Sequence, residues 1–178
     1  MEVNRNAYLK HFPIDKYVDF VVNRQHSAWD WTQAEQHGKW IESAYLSAVQ
    51  GDDKELLIKA ESVLNRIIDS QEANGYVGAT AKSFRSPERP VRGMDAYELY
   101  FVFHAFITVY EETGDKKALT AAEKLADYFL QYFGPGKLEF WPSDLRAPEN
   151  KQKHLDGHSD FAGHLSLIHI SEPTRRVV

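Results

Sequence analysis

The stretch GDDKELLIKAESVLNRIID at residues 51–69 contains a turn signal followed by an amphipathic helix. Its apolar residues recur at spacings of three and four, which predicts a helix over roughly 53–70 with one apolar face. A glycine followed by aspartate is typical of the end of one helix and the N-cap of the next. We therefore predict a tight turn between two helices at 51–53.

A second copy of this pattern, GDKKALTAAEKLADYFLQY, occupies residues 114–132 and predicts a helix over roughly 116–133. Another helical stretch precedes each copy, at about 38–50 and at about 95–113. Apolar residues lie on every face of the 95–113 stretch, which is typical of a buried helix. The period of 62–63 residues thus predicts two helical hairpins, each with a more buried first helix and a second helix with one polar face.

Alternating buried and half-buried helices predict two concentric rings of helices, which form a toroid. Short turns join the helices of a hairpin, whereas long loops at about 71–94 and 134–157 join one hairpin to the next. The long loops emerge where the inner helices begin, and the free N–H groups there favour polar ligands. Since a full (α/α)6 ring has six hairpins, we expect an all-α, incomplete (α/α)6 toroid over residues 1–164.

The sequence of the C-terminal residues 165–178 indicates an origin different from that of the rest of the chain. The string LSLIHISEPTR at 165–175 matches the translation of a transposase adapter that is used to build sequencing libraries. Processing scars are excluded from fold reasoning, so we expect this segment to be a non-native tail. A natural helical tail that breaks at Pro173 is the alternative.

The overall composition excludes several classes of function. The net charge of the 178 residues is −5 with both signs interleaved, so no basic stripe is available for nucleic acid. No apolar run approaches the roughly 18–20 residues that cross a bilayer. No signal peptide is visible, so the default expectation is the cytoplasm, and the alternative is that the true N-terminus is missing. The absence of cysteine excludes thiolate zinc sites and cysteine nucleophiles within these residues.

Five short motifs follow one another along the chain, namely NRNAYL at 4–9, WTQAEQHGKW at 31–40, SQEANGYVG at 70–78, YELY at 97–100 with His104 after it, and GHSD at 157–160. By their order and spacing they resemble the N-terminal part of glycoside hydrolase family 127, the β-L-arabinofuranosidase-like proteins. The resemblance runs from about Val3 to His164. Tyr97 stands where the family motif usually has histidine, Phe103 where it has glycine, and Asp160 where it has glutamate.

The resemblance implies a glycosidase that acts on a plant-type L-arabinofuranoside. This family is understood to use a cysteine nucleophile, which zinc holds together with further cysteines and a glutamate, and an acidic partner. By resemblance all of these lie downstream, so we expect no catalytic residue, metal ligand or cofactor within this chain, and no hydrolysis by it alone. The alternatives are another toroid enzyme, such as an unsaturated-uronide hydrolase or a sugar epimerase, and a helical-repeat binding scaffold.

The candidate carbohydrate-binding residues lie at the mouth where the long loops meet. Glu35 stands just before the first inner helix, Trp31 lies in the preceding loop, and His158 stands at the start of the third inner helix. Tyr97 and Glu98 begin the second inner helix. Sugar binding needs a few directed polar groups beside aromatic surface, and these five residues supply both.

Each polar candidate also has a structural interpretation. Glu35 is then a helix-start carboxylate that the helix dipole favours. Glu98 needs a partner if it is buried, and Arg89 or Arg92 in the preceding loop could pair with it. Trp40 and His104, which lie on apolar helix faces, are interpreted as core residues. The alternatives are that Trp40 stacks on a sugar and that His104 forms the floor of the site.

Overall fold

The computed structural model describes residues 5–25, 35–91 and 95–138, and these ranges form helices joined by loops. The predicted hairpins are both present, and their helices lie within a few residues of the predicted bounds. A short 3-10 turn also lies in the loop between them, at Lys82–Phe84. In chain order, a π-helical turn at Arg5–Leu9 is followed by α1 (Ile14–Val22), α2 (Glu35–Gly51), α3 (Lys54–Asp69), α4 (Asp95–Thr113) and α5 (Lys116–Tyr132).

Aspartate side chains cap the second helix of each hairpin, as predicted. The Asp53 carboxylate accepts a hydrogen bond from the backbone N–H of Leu56 at 3.1 Å, at the start of α3. The Asp115 carboxylate accepts one from the backbone N–H of Lys117 at 2.8 Å, at the start of α5. Both caps satisfy N–H groups that the helix itself leaves without a partner.

The glycine signal in these turns is confirmed in one hairpin and wrong in the other. Gly114 follows α4 with a φ of +73°, the left-handed conformation expected after a helix end. In the first hairpin, Gly51 is instead the last residue of α2, and Asp52 takes the left-handed conformation with a φ of +48°. Aspartate tolerates that conformation better than most residues, which lets α2 run one residue further.

Helices α2 and α4 form the most extensive helix–helix contact of the described residues. A Cβ atom on Gly38 would lie only 2.5 Å from the carbonyl carbon of Phe101, so the two backbones approach closely at this point. The two helices run in the same direction, because Gly38 faces Phe101 and Glu42, one turn later, faces His104. This is the arrangement expected of two neighbouring inner helices.

Burial follows the predicted alternation of inner and outer helices. Between Asp95 and Tyr110 every described residue of α4 is buried or half-buried, whereas α3 and α5 each keep a polar, exposed stripe. Trp40 of α2 is a core residue as predicted, and its indole N–H donates to the carbonyl of Leu9 at 3.1 Å. None of the helices in the described ranges is long and apolar enough to cross a membrane.

Helix α1 was not predicted from the sequence. It is short, its N-cap Pro13 makes no side-chain capping bond, and it packs on α2 and α3 through Ile14, Val18 and Val21. Tertiary packing rather than local propensity stabilises a helix of this length. The predicted boundary between residues 164 and 165 lies outside the described residues and stays a prediction.

Candidate functional site

Side chains from α2 and α4 form a partly exposed strip, which we call the inner-helix surface. It consists of Glu35, Lys39 and Glu42 of α2 and Tyr97, Phe101 and His104 of α4. Residues three or four positions apart share one face of a helix, so each set of three forms one stripe. Because Gly38 has no side chain, α2 and α4 approach closely and the two stripes lie side by side.

Lys39 lies at the centre of this surface and connects two of the predicted site residues. Its ammonium nitrogen is 3.1 Å from a carboxylate oxygen of Glu35. The same nitrogen lies 4.3 Å from the ring centre of Phe101 and 5.4 Å from that of Tyr97. These distances fit cation–π contacts. The structure thus brings Glu35 and Tyr97, which are distant in sequence, to the same cation.

His104 lies one turn deeper on the same surface, and its interpretation as a core residue is wrong. Its side chain is 40% exposed, and its Nδ1 lies 3.0 Å from a carboxylate oxygen of Glu42. The ring also lies 6.0 Å from that of Tyr100. His104 follows Tyr97 and Phe101 at helical spacing, and that stripe is only partly covered, so the histidine reaches solvent and a carboxylate of the neighbouring helix.

Glu98 does not share the exposed stripe. It is 1% exposed and, by helical spacing, lies on the buried stripe of Val102 and Ala105. Of its two predicted partners, Arg89 lies in an exposed turn closed by backbone hydrogen bonds with Ser86, and Arg92 is outside the described residues. The predicted ion pair stays a prediction.

Two further predicted site residues, Trp31 and His158, lie outside the described residues. Within the described ranges no three histidine and acidic side chains are grouped closely enough to hold a metal ion. The zinc ligands that the family resemblance implies would belong to sequence downstream, and they stay a proposal.

The long loop between α3 and α4 is anchored on α5 through the predicted turn motif. The Gln71 side-chain amide donates to the carbonyls of Gly75 and Ala121, both at 2.9 Å. Gly75 has a φ of +97°, and a Cβ atom there would lie 2.0 Å from the carbonyl oxygen of Lys124. Only glycine fits this position, which explains why the motif pairs glutamine with glycine.

Tyr76, which ends that motif, is fully buried and donates to a carboxylate oxygen of Asp95 at 2.9 Å. Burial raises the pKa of Tyr76 well above its usual value of 10.0, and the charge of Asp95 raises it further. Burial also raises the pKa of the neighbouring Tyr128 to about 12. Both hydroxyls therefore remain protonated donors near neutral pH, and that of Tyr128 donates to the carbonyl of Pro90.

Comparison with known proteins places this arrangement in a family. Residues 3–141 match the family model described as "Beta-L-arabinofuranosidase, GH127 catalytic domain". The chain belongs to glycoside hydrolase family 127. A curated relative, the non-reducing end beta-L-arabinofuranosidase of Bifidobacterium longum subsp. longum, is 27% identical over 143 residues, which are 76% of this chain and 20% of the relative. The chain thus spans about a fifth of that relative's length.

Two solved structures of family 127 have the same fold. The beta-arabinofuranosidase BT3674 superposes with a TM-score of 0.58 at 22% identity, over 92% of this chain and 28% of that structure. The beta-L-arabinofuranosidase Ara127N-Se of Geobacillus stearothermophilus T6 superposes with a TM-score of 0.57 at 19% identity, over 94% and 28%. The hairpins therefore form part of a family 127 (α/α)6 toroid, as predicted.

Three residues of the inner-helix surface were missed at the sequence level, namely Lys39, Glu42 and Phe101. The signal was present, because Lys39 follows Glu35 by four residues and Glu42 follows Lys39 by three. Phe101 likewise follows Tyr97 by one helical turn. Extending each predicted site residue along its own helix face would have found all three.

Proposed function

We propose that the intact protein carrying this segment is a glycoside hydrolase that acts on β-L-arabinofuranosides, and that the inner-helix surface forms part of its sugar-binding site. The observation that carries the assignment is the family 127 match over residues 3–141. The Bifidobacterium relative is itself described as a beta-L-arabinofuranosidase. This match does not favour an unsaturated-uronide hydrolase, an epimerase or a binding scaffold.

The inner-helix surface has the chemistry that a neutral sugar requires. Tyr97 and Phe101 contact each other edge to face, with ring centres 5.0 Å apart, and offer apolar surface to the C–H groups of a furanose ring. The Glu35 carboxylate is a hydrogen-bond acceptor suited to the hydroxyl groups of a sugar. Lys39 has three N–H donors, and its ammonium nitrogen lies 3.1 Å from a carboxylate oxygen of Glu35, so the pair offers both donors and acceptors to sugar hydroxyls.

Glu42 and His104 extend the polar part of this surface. Nδ1 of His104 lies 3.0 Å from a carboxylate oxygen of Glu42. In the neutral imidazole that carries its proton on Nδ1, the other ring nitrogen is a hydrogen-bond acceptor. A sugar hydroxyl is a suitable donor to that nitrogen. We propose a role in substrate binding rather than in bond cleavage for these residues. The zinc, the cysteine nucleophile and the acidic partner implied by the family would come from residues downstream.

The proposal is tested in the complete enzyme with Glu35→Gln and Lys39→Met, using an aryl β-L-arabinofuranoside as substrate. A hydrogen bond to a charged group contributes about 1.5–3 kcal/mol, so we expect kcat/KM to fall about 10- to 100-fold in each variant. The melting temperature should change little, because Lys39 is 37% exposed and glutamine keeps the size and hydrogen-bonding capacity of the mostly buried Glu35.

Glu61→Gln is the matched control, because Glu61 is an exposed carboxylate on the outer helix α3. It should leave kcat/KM unchanged. Full activity in both inner-helix variants, or a loss that only follows unfolding, would show that this surface is structural. Turnover of an unsaturated uronide in preference to the arabinofuranoside would reject the proposed substrate class.

A further inference from the structure

A buried hydrogen-bond network connects the long loop to the first turn of α4. The two carboxylate oxygens of Asp95 accept hydrogen bonds from the hydroxyls of Tyr76 and Thr80, each at 2.9 Å. The backbone N–H of Thr80 in turn donates to the Tyr76 hydroxyl at 3.0 Å. All three residues are fully buried. The carboxylate of Asp95 is therefore held by directed bonds on both of its oxygens.

Two guanidinium groups fix the Tyr76 ring in this network. Arg85 stacks over the ring at 3.6 Å from its centre, and Arg24 lies 5.6 Å from it. Both arginines form an ion pair with Glu72, and the side chain of Arg85 also donates to the carbonyl of Thr80 at 3.1 Å. The ring thus has little freedom to rotate or shift, which in turn fixes the direction of its hydroxyl.

The network is connected to the inner-helix surface through the first turn of α4. Asp95 is the first residue of α4, and Tyr97 follows two residues later in the same helical turn. A rotation or shift of this turn would move the Tyr97 ring relative to Lys39, which contacts it at 5.4 Å. A buried carboxylate is costly to desolvate, and an apolar contact would anchor the loop at less cost. The directed bonds to Asp95 define the orientation of the helix start, which an apolar contact would not do.

We propose that Asp95, Tyr76 and Thr80 are positioning residues that set the orientation in which the first turn of α4 presents Tyr97 to the sugar. The inference rests on the proposed function of the inner-helix surface. It assigns a role in substrate positioning to the long loop, although the three network residues themselves are buried.

Tyr76→Phe in the complete enzyme is the first test, because it retains the ring and its contacts with Arg85 and removes only the hydroxyl. Misplacement of a binding group by a fraction of an ångström reduces activity strongly, so we expect kcat/KM for the aryl β-L-arabinofuranoside to fall about tenfold. Tyr110→Phe, at the opposite end of α4 and half-buried, is the matched control and should leave kcat/KM unchanged.

A double-mutant cycle with Tyr97→Ala separates positioning from a general structural role. If the network acts through Tyr97, adding Tyr76→Phe to Tyr97→Ala should cause no further loss of kcat/KM. If the network only stabilises the fold, the tenfold loss should appear in both backgrounds, and the inference is then wrong. Unchanged activity of the single variant Tyr76→Phe, which retains Tyr97, would also overturn the inference.

Thr80 provides an independent test that does not depend on the folding of Tyr76→Phe. Thr80→Ser retains the hydroxyl and should keep kcat/KM, whereas Thr80→Val removes it and should reproduce the loss, with the same dependence on Tyr97. Equal activity of the serine and valine variants would contradict the inference. Failure of the proposed function itself is distinguishable, because Glu35→Gln and Tyr97→Ala would then leave hydrolysis intact.

Discussion

Gly38→Ala tests the close approach of the two inner helices. The new Cβ atom would lie 2.5 Å from the carbonyl carbon of Phe101 and 2.7 Å from both its oxygen and the backbone nitrogen of Val102, where ordinary contacts begin at 3.4 Å. These atoms belong to the backbone of α4 and cannot rotate away. The helices must therefore separate by roughly 1 Å at this point to accommodate one methyl group.

The expected magnitude combines two opposing effects. Overpacking costs about 1–3 kcal/mol, and a clash with helix backbone belongs at the upper end of that range. Alanine in a helix interior is favoured over glycine by about 1 kcal/mol. We therefore expect Gly38→Ala to lower the free energy of unfolding by about 2 kcal/mol. Gly38→Val adds two more methyl groups at the same contact and should cost more than the alanine variant.

Urea denaturation of the purified chain, followed by circular dichroism at the helical band, measures this change. Ser43→Ala is the control, because Ser43 is exposed on the same helix and gains helix propensity without a new contact. It should be as stable as the natural chain or slightly more stable. If Gly38→Ala is also as stable as the natural chain with the same denaturant dependence, α2 and α4 do not approach as closely as described.

Further predictions concern the hairpin turns and the chain ends. Asp52→Gly should stabilise the chain by about 0.5 kcal/mol in urea denaturation, because glycine adopts the left-handed conformation without strain, whereas Asp52→Ala should destabilise it; the reverse order would contradict the turn geometry. The backbone N–H of Leu56, and then Lys10, hold the pKa of Asp53 below its ordinary value of 3.8. The stability that this charge contributes is therefore present above that value and is lost as the pH falls through the lower folded-state pKa. Asp53→Asn keeps the cap and removes the charge. Its melting temperature should be lower than that of the natural chain near neutral pH, and the two should converge in acid. A difference in melting temperature that does not depend on pH would exclude the charge effect. Deleting residues 165–178 should change the free energy of unfolding by less than about 1 kcal/mol, as expected for an adapter-derived tail, and a larger loss would show that the tail packs natively. The purified 178-residue chain should not hydrolyse an aryl β-L-arabinofuranoside, and measurable turnover would show that it contains its own catalytic groups.

The helical hairpins could be predicted from the sequence because their signals are local. Apolar spacing defines α3 and α5, and Asp53 and Asp115 are recognisable N-caps since a cap acts within its own first turn. The all-apolar character of residues 95–113 identified α4 as an inner helix before any neighbour was known. The family resemblance was likewise carried by short motifs, and the match over residues 3–141 confirmed it.

The candidate site depended on contacts between segments that are distant in sequence. The sequence places Glu35 and Tyr97 at helix starts, but only the packing of α2 on α4 brings both to Lys39. His104 lies among apolar neighbours in the sequence and was therefore assigned to the core, whereas the structure pairs it with Glu42 of the other helix. A periodic pattern identifies which residues share a face, and it does not identify what that face meets.

The roles of two glycines and of the buried polar groups also became visible only in the tertiary structure. The sequence marks Gly38 and Gly75 only as parts of motifs, because what a Cβ atom would meet there is the backbone of α4 in one case and of α5 in the other. Tyr76 and Asp95 are nineteen positions apart, and no spacing rule connects a loop tyrosine with the first residue of the next helix. Local periodicity and capping determine the helices, since those interactions span at most a turn or two of chain. The orientation of the helices and the partners of their buried polar groups arise from tertiary packing, which requires the segments to meet in space.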